Sequence, residues 1–280
     1  MTSPHYGILS FATDQTTPPH IAAAACEAAG FESVWFPEHS HFPLASGGWP
    51  DGEDIPAAYA RTIDQWVALG AAAAATSTIK LGTGMCLVPQ HDPIWLAKQA
   101  ASLDHLSGGR LLLGIGYVWN RAEIEHHGID FLSRRQRTRE CIEVMRALWT
   151  DEVASYSGSH FQFSDSRVWP KPIQSPGPPI LIGAGAGPRT IADLAAFADG
   201  WAPMYGRNDI TGQLAAVRAA LEEAGRDPGA FDLSVFGVPP KREAIEEVVG
   251  WGATRIVFGA GGADESALIS HLEAITSELL

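Results

Sequence analysis

Residues 107–116 are the stretch that decides the fold, and they read Ser-Gly-Gly-Arg-Leu-Leu-Leu-Gly-Ile-Gly. A Ser-Gly-Gly sequence is typical of a helix end, because glycine adopts the left-handed conformation that terminates a helix. Leu111–Ile115 is short and apolar without polar alternation, as expected for a strand that is buried on both faces. The stretch therefore predicts a helix that leads directly into a strand of a parallel sheet.

The same unit occurs from one end of the chain to the other. Amphipathic helical segments separate eight candidate strands, which are Tyr6–Ser10, Ser33–Phe36, Ile79–Met85, Leu111–Ile115, Pro179–Ile182, Gly200–Pro203, Leu233–Phe236 and Arg255–Phe258. Eight strand–helix units in 280 residues predict an α/β fold, a single (β/α)8 TIM barrel over residues 1–280. An open doubly wound sheet is the alternative, but no glycine-rich dinucleotide motif follows the first strand.

Three long connections interrupt this pattern, at Pro37–Tyr59, Tyr117–Ser133 and Asp151–Pro178. The first two follow the second and fourth strands, so they leave the face where barrel enzymes carry their active sites. The third follows a helix, and its alternating residues around Ser157-Gly158 predict a small hairpin. Connections this long are usually functional.

Charge and cysteine usage exclude several classes of protein. The net charge of −13 argues against a nucleic-acid partner and against docking on anionic membranes. The three cysteines form no Cys-x-x-Cys pair, so neither a zinc knuckle nor a disulfide framework is expected. No secretory signal is visible, and we expect a cytoplasmic protein with reduced thiols.

A glycine-rich turn after the fifth candidate strand is the clearest sign of a ligand. Small residues there let the backbone approach a phosphate, and the N–H groups of the following helix can bind it. The candidate binding residues are Gly183, Ala184, Gly185, Ala186, Gly187, Arg189 and Thr190. A tight turn without any ligand is the alternative.

Glycines also stand at the ends of the third and fourth strands, in Gly82-Thr83-Gly84-Met85 and Gly114-Ile115-Gly116. Glycine weakens a buried strand unless something needs the space. A flat ring lying on both strand ends would need it, so Gly84, Met85 and Gly116 are candidate cofactor contacts. A bulge that helps to close the barrel is the alternative.

His39 follows the second strand, where barrel enzymes place catalytic groups. It can donate a hydrogen bond or move a proton near neutral pH, and Glu38 can orient it or act as a base. A histidine packed in a loop is the alternative. His39 and His41 also resemble a metal pair, but no third and fourth ligands are evident, so no metal is predicted.

Aromatic and polar residues follow the fourth strand. Trp119 can cover a ring, and Asn120 can bind a ring carbonyl or a phosphate. The arginines at 134, 135, 137 and 139 predict a solvated basic face, with docking of an anionic cofactor tail as the alternative. No nucleophile elbow, P-loop or HExxH motif is present. Reactive side chains are thus few, which favours chemistry carried by a cofactor.

Several segments together resemble the bacterial luciferase-like flavin monooxygenases, and within them the branch that uses the deazaflavin coenzyme F420. The resemblance covers nearly the whole chain. It rests on Ser33–His39, Leu81–Gly84, Gly109–Gly116, Pro170–Pro172, Pro179–Gly183 and Ala198–Trp201.

The resemblance implies a cofactor ring at the strand ends, a cis peptide bond at Gly84–Met85 and phosphate binding by residues 183–190. It also implies a cofactor wall at Gly200-Trp201 and a catalytic His39 beside the acidic Glu38. The sugar-phosphate dehydrogenases of the family carry an acidic residue after the fourth strand, where this chain has Trp119. That difference argues against their substrate.

The resemblance makes hydride transfer between F420 and a small organic substrate the first hypothesis. The alternatives are a monooxygenase that uses reduced FMN and a barrel that binds a flavin without turnover. A homodimer is usual in the family and is expected here.

Overall fold

The computed structural model describes residues 3–46, 54–207, 209–262 and 264–279. Eight parallel strands close into a barrel in the order β1-β10-β9-β8-β7-β4-β3-β2. The barrel strands are β1 His5–Leu9, β2 Ser33–Phe36, β3 Lys80–Thr83, β4 Leu111–Ile115, β7 Ile180–Ile182, β8 Gly200–Trp201, β9 Asp232–Phe236 and β10 Arg255–Gly259. The predicted (β/α)8 barrel is confirmed.

Helices surround the barrel, and between strands they connect each carboxyl end to the next amino end. They are α1 Pro19–Ala28, α2 Gln65–Ala75, α3 Pro93–Ser107, α4 Arg121–His126, α5 Arg134–Thr150, α6 Pro188–Phe197, α7 Ile210–Glu223, α8 Arg242–Gly250 and α9 Glu265–Leu279. No helix in the described ranges combines the length and the apolar character that a membrane crossing requires. A two-stranded antiparallel sheet, β5 Ala154–Ser157 and β6 Gln162–Ser166, lies between α5 and β7.

The unit around residues 107–116 forms as its sequence predicts. Asp92 caps α3 by accepting the backbone N–H groups of Ile94 and Trp95. Gly108 then ends the helix with a φ of 73°, a left-handed conformation that glycine adopts at little cost. The next residues enter β4, all five of which are buried.

Side chains fill the barrel interior in layers. The Arg255 guanidinium bonds Glu32, Asp232 and Ser234 near the amino ends of the strands. Trp35 and Phe236 pack edge to face above it, with ring centroids 5.0 Å apart. Leu9 and Met85 pack on that apolar cluster and also line the cavity at the barrel mouth. The interior is thus a solid core that supports the site from below.

The third candidate strand is shorter than predicted. Prediction gave Ile79–Met85, whereas β3 ends at Thr83, and its ladder with β4 ends at Gly82. Of the predicted connection Pro37–Tyr59, residues 47–53 lie outside the described part of the chain.

Candidate active site

A cavity of about 430 Å³ opens at the carboxyl ends of the barrel strands. Its lining comes from residues that end or follow successive strands, namely Leu9, His39, Met85, Gly116, Gly183 and Met204. A larger groove of about 590 Å³ lies between α1 and α9 on the outside of the barrel. We assign the site to the strand-end cavity, because it lies at the carboxyl ends of the barrel strands and gathers a histidine, a carboxylate and two arginines, whereas no arginine lines the outer groove.

His39 is held by a buried carboxylate on the far side of its ring. Its Nδ1 lies 2.8 Å from Oε2 of Glu123, whose side chain has no solvent exposure. The Ser40 backbone N–H donates to the other Glu123 oxygen at 3.1 Å. A carboxylate at Nδ1 places a proton on that nitrogen and leaves Nε2 as the ring nitrogen available to the cavity.

Helix α4 fixes the position of Glu123. Asn120 caps this helix, and its side-chain oxygen accepts the backbone N–H of Glu123. The Asn120 amide also donates to Ser46, and the residue is buried. Asn120 is therefore engaged in positioning the helix that carries Glu123, and it does not line the cavity as predicted.

The predicted pairing of Glu38 with His39 is wrong. Glu38 lines the cavity, but one oxygen contacts Nε2 of His91 at 2.7 Å and the other accepts the backbone N–H of Leu87. Burial alone would raise the pKa of Glu38, but the charge and hydrogen bond of His91 and the Leu87 N–H hold it below its usual value. Glu38 therefore braces the turn after β3, and Glu123 is the orienting carboxylate.

Glu38, Cys86 and His91 are the one trio in the described residues whose ligand atoms lie within 4.8 Å of one another. Burial, together with the neighbouring Glu38, raises the pKa of the Cys86 thiol well above its usual value. The thiol is therefore protonated and hydrogen-bonds Glu38, which also contacts His91, so the three side chains form one hydrogen-bonded cluster.

Aromatic side chains surround His39. The rings of Tyr59 and Trp119 lie with their centroids 5.0 Å and 6.1 Å from the imidazole, and Phe42 lies at 5.9 Å. Burial raises the pKa of Tyr59 to about 12, so its phenol keeps its proton at neutral pH. These rings exclude water from the imidazole and strengthen its hydrogen bonds.

Glycine and alanine backbone form part of the cavity wall. Gly84, Met85, Gly116, Gly183 and Ala184 all line it, and the Gly84–Met85 peptide bond is cis, as the resemblance implies. A Cβ on Gly116 would meet its nearest neighbour, Met85, at 3.5 Å, which is an ordinary van der Waals contact, so barrel packing does not require glycine at this position.

Gly82 and Gly114 are required by packing inside the barrel and do not face the cavity. A Cβ on Gly82 would meet the Trp35 ring at 2.1 Å, and one on Gly114 would meet the Thr83 carbonyl at 2.2 Å. The predicted flat floor is therefore limited to Gly84 and Gly116, because barrel packing takes the space at the other two positions.

Positive charge collects beside the glycine-rich turn. Arg134 and Arg135 both line the cavity, and Arg135 donates to the Thr190 hydroxyl at 2.9 Å. The Arg134 Nε is buried and has no hydrogen-bond partner among the described residues. Burial and the nearby arginines 135, 189 and 121 lower the pKa of Arg134. The basic face that α5 was predicted to expose thus turns partly into the cavity.

Residues 185–190 of the glycine-rich turn do not line the cavity. Helix α6 begins at Pro188 without a side-chain cap, so the N–H groups of its first turn are not bonded by a capping side chain. Gly185, Gly187 and Arg189 are exposed, whereas Ala186 and Thr190 are buried.

Gly200 and Trp201 are placed differently from the prediction. Both are buried in the barrel wall, and the Trp201 indole N–H donates to the Ala184 carbonyl at 2.7 Å. Trp201 is fully buried and has no surface to offer a ligand. It supports the glycine-rich turn from behind and does not form a wall of the cavity.

Glu123 was missed in the sequence, and a ligand-binding role for Arg134 was only the alternative to a solvated basic face. An Asn120-x-x-Glu123 spacing is a helix-start pattern and could have indicated a capped helix after the fourth strand. The inward turn of Arg134 had no comparable signal, because its direction depends on the short helical turn Phe131–Ser133.

Comparison with known proteins agrees with this geometry. A family model described as luciferase-like monooxygenase matches residues 20–256. An uncharacterized protein of Mycobacterium tuberculosis is 38% identical, with 98% of each chain covered. An F420-dependent hydroxymycolic acid dehydrogenase of the same species is 30% identical over 74% of this chain and 54% of its own length.

A similar fold occurs in a solved structure, the coenzyme F420-dependent tetrahydromethanopterin reductase of Methanopyrus kandleri. It superposes with a TM-score of 0.75 at 18% identity, covering all of both chains. The family match spans most of the chain and includes the second to seventh barrel strands and the cavity residues between them. The chain therefore belongs to the luciferase-like monooxygenase family, whose members are oxidoreductases and monooxygenases that use a flavin or deazaflavin cofactor.

Proposed function

We propose that this chain is an oxidoreductase that binds coenzyme F420 in the strand-end cavity and transfers a hydride between it and a small organic substrate. The observation that carries the proposal is His39, which lines the cavity, is held by Glu123 at Nδ1 and has no hydrogen bond at Nε2 to any residue that the structure describes. This arrangement suits a group that moves a proton while a cofactor carries the electrons.

The residues present fit such a cofactor. A planar ring needs a wall with few projecting side chains. Gly116 supplies the most open part of it, because Met85 packs on Gly183, and Leu9 and Trp35 pack on Gly84. A phosphate-bearing tail needs unpaired donors, and the Arg134 guanidinium offers a buried Nε in a positively charged surrounding. When bound, F420 supplies a two-electron hydride carrier.

The protein's own residues then have separate tasks. His39 exchanges a proton at Nε2 with the substrate oxygen, and Glu123 keeps the ring oriented and its Nδ1 protonated. Trp119 and Tyr59 keep water from the imidazole. Arg134 holds the anionic part of the cofactor.

A monooxygenase that uses reduced FMN is the second candidate. The description of the matching family favours it, and the same cavity wall and arginines suit the single phosphate of FMN. The 30% identical F420-dependent dehydrogenase favours the first candidate.

Single-turnover mixing tests the proposal. Protein loaded with reduced F420 is mixed without oxygen with a panel of ketones and aldehydes, and protein loaded with oxidised F420 with alcohols. We expect at least one class to change the oxidation state of the bound cofactor, and His39→Gln to slow that change. Oxygen uptake with reduced FMN, and no exchange with F420, would instead establish the second candidate.

We also propose that the protein works in the cytoplasm as a homodimer, as its family resemblance suggests. Sedimentation equilibrium of the purified chain tests the dimer. A mass of one 29.8 kDa chain at micromolar concentration would contradict it.

A further inference from the structure

A chain of hydrogen bonds leads from the buried Glu123 to the protein surface. The Ser40 hydroxyl lies 3.5 Å from Oε1 of Glu123 and 2.9 Å from Nδ1 of His41. His41 continues the chain, because its Nε2 lies 2.9 Å from Nδ1 of His126. Ser40, His41 and His126 are all exposed, whereas Glu123 is not.

We propose that Ser40, His41 and His126 form a proton relay that exchanges protons between solvent and the His39–Glu123 pair. The use of the relay in turnover rests on the proposed function, because a bound cofactor and substrate would fill the cavity side of His39. The Glu123 side would then be the remaining route to solvent.

The chemistry of the links suits a relay. His41 uses one ring nitrogen on each side, so it can take a proton at Nε2 and release one from Nδ1. Ser40 accepts that proton and passes its own hydroxyl proton to Glu123. One proton enters at His126 and one arrives at Glu123. Proton exchange with water then returns His41 and His126 to their starting tautomers.

His127 offers the Ser40 hydroxyl a second acceptor, at 2.7 Å from its Nε2. Burial and the neighbouring His41 lower the pKa of His127, so the ring is neutral at physiological pH and Nε2 can accept a hydrogen bond. The hydroxyl must therefore rotate from His127 toward Glu123 to close the longest link of the relay. The other titratable groups that influence this ring are Glu123, His91 and Glu38.

The proton between His39 Nδ1 and Glu123 is the direct readout, and it needs no cofactor. The Nδ1 proton lies between two side chains that are at most 5% exposed, so the relay predicts that it exchanges with water through Glu123 and Ser40 even without a cofactor. Proton NMR of the unliganded protein, with saturation transfer from water, measures its exchange rate. Failure of the cofactor proposal would leave this measurement unaffected.

Variants separate the relay from simple packing. We expect Ser40→Ala to slow the exchange at least tenfold, Ser40→Thr to restore it, and His41→Gln to slow it several-fold. His105→Gln, an exposed histidine near the end of α3, should leave it unchanged. An Nδ1 proton that exchanges at the same rate in Ser40→Ala as in the natural protein would overturn the relay, as would equal slowing by Ser40→Thr.

Discussion

The pairing of His39 with Glu123 decides which ring nitrogen can act in the cavity. The two residues are 84 positions apart, and the 2.8 Å contact at Nδ1 leaves Nε2 for a ligand. A buried hydrogen bond to a charged group is worth about 1.5–3 kcal/mol, enough to fix one orientation of the imidazole. The carboxylate thus acts through the histidine, and Glu123 is a positioning residue.

Glu123→Gln tests this pairing. The amide can present its N–H₂ group to Nδ1 and so favour the tautomer with the proton on Nε2, or it can accept more weakly than a carboxylate. We expect turnover to fall by about 10- to 100-fold, as for loss of a partner that orients a histidine. This is less than the roughly 100- to 10,000-fold that a general acid or base itself contributes. Steady-state kinetics check the change, with cofactor affinity nearly constant. Equal losses of affinity and turnover would indicate that Glu123 serves binding instead.

Arg134 lines the cavity and carries a buried donor that is not bonded to the protein's described residues. Its Nη1 donates to the Phe131 carbonyl, but Nε has no partner among the described residues. Arg134→Ala should weaken F420 binding about tenfold, as expected for loss of one charge-assisted hydrogen bond of about 1.5 kcal/mol. Fluorescence titration measures this effect, with Arg167→Ala on the exposed hairpin as the matched control. Equal affinities in both variants would place the anionic tail elsewhere.

Among the elements, the end of β2 and the turn after β3 are joined by Glu38 and His91. This ion pair has a 2.7 Å contact and side chains only 12% and 20% exposed. Burial alone would lower the pKa of His91, but the Glu38 charge and hydrogen bond raise it above its usual 6.5. The ion pair therefore fixes the part of the cavity wall that Glu38 and Leu87 form.

The direction in which pH changes the stability follows from the pKa shifts of His91 and Glu38. Stabilisation from the raised His91 pKa is complete below pH 6.5 and is lost as pH rises through the folded-state value. Stabilisation from the lowered Glu38 pKa is present above pH 4.5 and is lost as pH falls through its folded-state value. The pair thus contributes most between these two limits.

His91→Gln should remove the alkaline part of this dependence. We expect the free energy of unfolding of the natural protein to drop by about 1–2 kcal/mol above pH 6.5, and the variant to lack that drop. Urea denaturation between pH 5 and 9 measures both, with exposed His20→Gln as the control. A variant with the natural pH profile would contradict the ionic pairing.

Element by element, strand patterns were predictable and side-chain directions were not. The apolar run Leu111–Ile115 predicts a buried strand, and β4 has the same bounds. The family resemblance implied a cofactor wall at Trp201, yet the Trp201 indole is buried and its N–H donates to the Ala184 carbonyl. Gly82 looked like part of a floor, but only the fold reveals that the Trp35 ring occupies its space.

For the whole molecule, closure of the barrel depends on contacts between distant parts of the chain. Arg255 in β10 is 6% exposed and bonds Glu32, 223 residues away, as well as Asp232. Such a network can form only when the last strands meet the first. Burial lowers the pKa of a guanidinium, but here the two carboxylates raise that of Arg255 above its usual value.

Arg255→Leu should destabilise the barrel strongly. The change leaves Glu32 and Asp232 as like charges without the cation that bonds both, and we expect a loss of about 3 kcal/mol, since both carboxylates are partly exposed. Urea denaturation measures it against Arg167→Ala, which breaks an exposed pair and should cost less than about 0.5 kcal/mol. A loss below 1 kcal/mol for Arg255→Leu would mean that closure does not depend on this network.

The affinity of the purified protein for F420 and for FMN, titrated side by side, tests the central claim most directly. We predict saturable binding of one F420 per chain, tighter than FMN, and its loss in Gly116→Val, whose side chain would project from a residue that lines the cavity. Circular dichroism should confirm that the variant keeps its fold. Absence of F420 binding, or binding that Gly116→Val leaves intact, would contradict a deazaflavin site in this cavity.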